Sequence, residues 1–176
     1  MACDLTLGRL FPCTDQTGGI KSIAFVNYTS GLLNTATFAT TEQITAFGSA
    51  LTMFKYEVRS AGHSFVETGS DPDTEGVMVT QVLTAVLEAP TLADRKELKL
   101  LRYGRPQIFV ETYNGIYLLA GIENGCTVQI TKNSGADLGE KPSYTLVATA
   151  KEKAEAHFVV DTIIGDTTNT VVTVGT

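Results

Sequence analysis

LADRKELKLLRYGRPQIFVETYNGIYLLAGIENG, residues 92–125, carries three local signals in succession: a short helix, an Arg-Pro step, and two apolar runs joined by Asn-Gly. Thr91 is the expected N-cap, with Asp94 at the third helical position closing a capping box and facing the positive end of the helix dipole. Leu98 and Leu101, with Leu100 beside them, form a narrow apolar face, while Arg95, Lys96 and Lys99 point to water. Gly104 is the expected left-handed C′ residue, and Pro106 forces Arg105 out of helical geometry. About three turns long, such a helix needs tertiary packing to persist.

Asn114-Gly115 is the strongest short hairpin signal. A two-residue type I′ turn there pairs Tyr113 with Ile116 and Glu111 with Leu118. One face then carries Phe109, Tyr113, Ile116, Leu118 and Ala120; the other carries Ile108, Val110, Tyr117 and Leu119. Both faces are apolar apart from Glu111 and Thr112, whereas an antiparallel hairpin normally keeps one face wet. One side is expected on the core and the other beneath the helix or a neighbouring subunit.

Working outward, TMFKYEVRSAGHSFVET (52–68) alternates as one half-buried strand, and GVMVTQVLTAVLEA (76–89) is too β-branched for a helix. Between them GSDPDTEG (69–76), acidic and without an apolar anchor, reads as an exposed hairpin loop. IKSIAFVNY (20–28) reads as a strand within an otherwise irregular first fifty residues, and ATTEQITAFGSA (39–50) as a strand or short helix. After a second turn at Asn124-Gly125, CTVQIT and YTLVATAKE are strands. HFVVDTIIGDTTNTVVTVGT (157–176) reads as two β segments around residues 165–169, a sticky arm that pairs with something and that the sandwich can lose without unfolding. The expected fold is mainly β: an antiparallel sandwich or barrel with one short flanking helix and a C-terminal β arm. Its expected division is an N-terminal segment (1–50), the sandwich (51–160) and the arm (161–176).

The chain has 176 residues, with 13 Lys and Arg against 19 Asp and Glu, a net charge of −6. That length buries a sizeable core, and that balance is poor for gripping a phosphate backbone. No apolar run is long enough to cross a bilayer, and Asp4 sits where a signal peptide needs basic and then apolar residues. Asn27 is accordingly expected to be a loop residue, not a glycan acceptor. Cys3, Cys13 and Cys126 match no zinc or redox spacing. A Cys3–Cys13 disulfide and small buried thiols are the two readings, and a reducing assembly compartment favours the second.

Signals for chemistry are sparse. His63 and His157 stand far apart, and neither a nucleophile elbow nor a phosphate-binding glycine loop is present. Asp71, Asp73 and Glu75 alternate like the start of a calcium loop, but Pro72 stiffens it and no closing glutamate follows at the right place. The cluster at residues 151–155 reads as a solvated turn. No convergent polar constellation emerges, so no enzyme, cofactor or metal is expected.

The order of these features, a long hairpin, a capped helix ending x-L-L-x-x-G-R-P at Pro106, strand, Asn-Gly, strand, and Gly-x-Glu-Asn-Gly at 121–125, resembles tailed-phage virion proteins of the tail-tube fold. Structural proteins of Bacteroidetes and crAss-like phages are among those it is similar to. The resemblance covers roughly residues 52–160. It implies a homo-oligomeric ring, hexameric or higher, in the tail of a virion assembled in the host cytoplasm. Other tail or connector proteins are its implied partners, with double-stranded DNA passing through the lumen without specific binding and no membrane involved. In such proteins the long hairpin loop and terminal arms bridge subunits. Asp71, Pro72, Asp73 and Glu75 in the loop, Phe109 and Tyr117 on the hairpin, and Phe158, Val160, Ile163 and Ile164 in the arm are therefore the expected subunit contacts. A head-tail connector or tail-terminator ring, and a β-sandwich binding module, are the alternatives. A small hydrolase is the third class.

Overall fold

A computed structural model describes residues 9, 17–59, 62–70 and 76–174. In chain order the elements are β1 (Ile20–Val26), α1 (Leu32–Thr35), β2 (Thr37–Phe38), β3 (Ile44–Ala46), β4 (Leu51–Glu57), β5 (Ser64–Gly69) and β6 (Val79–Glu88). Then follow α2 (Leu92–Tyr103), β7 (Gln107–Thr112), β8 (Tyr117–Ala120), β9 (Thr127–Asn133), β10 (Ser143–Glu152), β11 (His157–Val159) and β12 (Thr170–Val174). They form a β-sandwich, as expected, and it is not a closed barrel. The large sheet runs β12-β4-β1-β7-β8-β11-β3-β2 and the small one β5-β6-β10-β9.

The helix begins where its caps dictate. Thr91 accepts from the Asp94 N–H at 3.2 Å, and the Asp94 carboxylate accepts from the Thr91 N–H at 2.7 Å. Its end differs from expectation: Gly104 is extended (φ −82°, ψ 176°), because its N–H closes the last turn on Leu100 and the chain runs straight on toward Pro106. Leu98 is fully buried, Leu101 half-buried and Leu100 exposed.

At Asn114-Gly115 the register is one residue off the expected one. Glu111 lies opposite Tyr117 and Val110 opposite Leu118. The loop has three residues, Tyr113 to Gly115; the Thr112 N–H donates to the Ile116 carbonyl at 3.0 Å, and Gly115 takes φ 74°. A type I′ turn needs positive φ at Asn114 as well, and Asn114 does not have it. This is instead a type I turn followed by a left-handed glycine. Because side chains alternate, the shift re-sorts the faces. Ile108, Val110, Leu118 and Ala120 point between the sheets, while Phe109, Tyr117 and Leu119 share the opposite face.

α2 does not cover that opposite face; the chain's own residues pack against it. Leu32, Phe47 and Ile163 pack with it, together with Ile44 and Val159 from neighbouring strands of the same sheet, in a second core built largely from the two ends of the chain. α2 instead sends Leu98 into the first core, between the sheets. The large sheet also runs across the boundaries expected at 50 and 160. β1 sits between β4 and β7, and β12 joins β4 in parallel, Thr170 opposite Leu51. The single strand expected over 52–68 is two: β4 belongs to the large sheet and β5 to the small one. The alternation runs through residues 53–59 and breaks at Ser-Ala-Gly-His-Ser (60–64), where a strand bend is expected at His63; the chain changes sheet between Glu57 and Ser64.

Candidate functional site

Of the expected contact residues, Asp71, Pro72, Asp73 and Glu75 lie outside the described residues, as do Cys3 and Cys13. Phe109 and Ile163 are buried in the second core, while Tyr117, Val160 and Ile164 are half-buried. Phe158 alone among these is open to solvent, 51 % exposed. The two histidines stand apart, His63 just before β5 of the small sheet and His157 at the start of β11 in the large one. The His63 Nδ1 accepts from the Val86 N–H at 3.1 Å, and burial pushes its pKa down. His157 meets Phe38 edge-on at 5.4 Å. Among the described residues no three His, Cys, Asp or Glu side chains cluster as metal ligands.

The densest polar cluster is one the sequence did not announce. Glu111 lies in the apolar run of β7, and its side chain is 5 % exposed. Strand pairing brings Ser22 of β1 directly opposite, so that Ser22 Oγ donates to Oε2 while Lys21 Nζ reaches Oε1 at 2.6 Å. Lys55, from β4, stands 3.3 Å from Oε2. Burial alone would raise the carboxyl pKa. Hydrogen bonds from Lys21, Ser22 and Tyr117, with the Lys55 charge, overcome it and hold the pKa at about 2. Tyr117 responds in the other direction: burial first, then the glutamate charge, lifts its phenol to about 12. A carboxylate so firmly ionised has no proton to give near neutrality and little basicity to take one. Its chemistry is that of a latch across three strands.

A second polar set fixes the crossing from β8 to β9, which carries the chain between sheets. The Gln107 Nε2 donates to the Ile122 carbonyl at 2.8 Å, and the Gln81 Oε1 accepts from the Gly121 N–H at 2.9 Å. The Glu152 carboxylate accepts from the Asn124 N–H at 2.9 Å. Buried side chains here satisfy turn backbone that no strand can reach. Gly125 is obligatory: its φ is 71°, and an added Cβ would lie 2.6 Å from the Arg105 carbonyl. Cys126 follows, buried, with burial and then Glu152 pushing its thiol up to about 12.

On the surface, a pocket of about 350 Å³ opens between α2 and the ends of β1 and β4. Phe25, Tyr28, Phe54 and Tyr56 wall it, with Glu97 and Arg105 at its margin. No family model, curated protein or solved structure matches this chain.

Proposed function

We propose that this chain is a structural protein of a phage tail, closing into a homo-oligomeric ring or tube around the DNA-ejection channel. The observation that carries the reading is the small sheet, whose outer strands, β5 and β9, pair with no further strand among the described residues. Its four strands alternate in direction. Laid side by side, β5 of one copy and β9 of the next therefore run antiparallel, and a head-to-tail contact that repeats closes a ring when its rotation allows. Val66 on β5, 53 % exposed, and Val77 beside the hairpin, 74 % exposed, would gain cover in that contact. An unpaired apolar edge is otherwise an aggregation hazard. The resemblance to tail-tube proteins supports the same reading and supplies the ring of six or more, the virion setting and the tail or connector partners. A net charge of −6 suits a lumen through which DNA slides unheld. The role needs no catalytic group and no cofactor. Negative-stain microscopy of the purified chain is the test: rings or tubes are expected, whereas a monomer at high concentration that copurifies with no virion partner removes the reading. A head-tail connector or terminator ring would use the same edges. The aromatic pocket beside α2 favours, as a second reading, a β-sandwich binding module, which would stay monomeric and capture a ligand there.

A further inference from the structure

The turn between β9 and β10 holds one leucine fully in solvent. Leu138 is 110 % exposed. The turn around it is built: the Ala136 N–H donates to a Glu140 carboxylate oxygen at 2.7 Å, and the Glu140 N–H donates to the Asp137 carbonyl at 3.1 Å. Gly135 takes φ 82°, where an added Cβ would press on the Glu140 carbonyl at 2.9 Å. Leu138 is thus an apolar prong between the carboxylates of Asp137 and Glu140. A large apolar side chain held out on an ordered turn is the form of an interface anchor.

At the same end of the small sheet lies its complement. A pocket of about 290 Å³ opens between α2 and β9, floored by Leu98, Ile130 and Tyr144. Its rim is Arg95, Lys99, Arg102 and Lys132, and among the described residues no carboxylate lines it. None of these four cations is ion-paired among the described residues. In a chain of net charge −6, four unpaired cations around an apolar floor form a concentrated positive field.

We propose that the Leu138 prong of one copy seats in this pocket of a second copy, its carboxylates meeting the cationic rim. Taking a second copy as occupant rests on the self-assembly reading, but the contact differs from the β5–β9 edges. Lys132 and Tyr144 are strand partners next to the turn, so each copy presents prong and pocket together. The exchange can be reciprocal about a two-fold axis, joining protomers or whole rings back to back. Charge complementarity selects the pairing and makes it salt-sensitive.

Sedimentation equilibrium of the full chain, at low and high salt, tests this. Leu138→Asp, and separately Lys99→Glu with Arg102→Glu, should each raise the dissociation constant by about tenfold or more, with unchanged circular dichroism. Asp137→Lys should do likewise alone, because its basic turn faces a basic rim. Mixed with the Lys99→Glu/Arg102→Glu chain it should associate again, each supplying the other's missing charge. Equal association of wild type and variants, weakening by the Leu138 change but not by the rim changes, or failed rescue in the mixture overturns the contact and leaves the ring reading standing. A wild-type chain that stays monomeric overturns both.

Discussion

Glu111 shows how much one side chain can hold. Its folded pKa of about 2 lies below the ordinary carboxyl value of 4.5. The stability it contributes is therefore complete above about pH 4.5 and is lost as the pH falls toward 2. Lys21 is half-exposed and screened, so the contribution is about 2 kcal/mol and not the full value of the shift. Glu111→Gln should destabilise by about that amount at pH 7 and flatten the acid limb of a urea-midpoint titration. An unaltered limb would show that the latch does not bear on folding. Backbone conformation makes a second prediction at this scale. Gly125→Ala should cost about 2 kcal/mol or more, since φ and the Arg105 carbonyl both oppose it. Ala89 has the reverse problem, φ 49° with a Cβ. Ala89→Gly should therefore stabilise by about 0.5–1 kcal/mol, and thermal melts of the two variants should move in opposite directions.

The C-terminal segment changes meaning at the scale of the element. Read as an arm, it was expected to be dispensable to the sandwich. In the structure Ile163 is part of the second core, β12 extends the large sheet beside β4, and the Asn169 side chain accepts from the Phe47 N–H at 2.9 Å. Deleting residues 161–176 uncovers apolar surface on β4 and β7 and leaves that buried amide unpaired. The cost should be about 4 kcal/mol or more, visible as a lowered denaturant midpoint before any assembly is measured. A truncated chain as stable as the full one would refute it. The hairpin around Gly115 was legible as a hairpin but not in register. Asn-Gly fits a two-residue turn and the last two places of a three-residue loop alike, and the choice fell to which face each core needed.

For the whole molecule, Cys126 reports on cooperativity. It is buried at the crossing between sheets with its thiol pKa pushed up to about 12. Reagents that need thiolate and access should label it only through global opening. Its labelling rate should therefore match unfolding, whereas fast labelling in native buffer would mean that the β8–β9 crossing opens by itself. The proposed ring closure through β5 and β9 and the proposed Leu138 contact use separate surfaces, so mutations in one should spare the other.

What the sequence determined by itself is local. The Thr91–Asp94 box, the turns at Asn114-Gly115 and Asn124-Gly125, and the β-branched runs each depend on residues a few places apart, where propensity and hydrogen-bond geometry decide. From them the mainly β sandwich with one helix was already readable. The tertiary structure alone decided the rest. Glu111 meets Lys21 and Ser22 from 90 and 89 positions away, and nothing near Glu111 in the chain marks it as the centre of a cluster. The second core joins residues 24–53 to residues 109–163. Such contacts form because an apolar face must be covered by whatever surface the folded topology brings to it, and that identity is written in no single stretch of sequence.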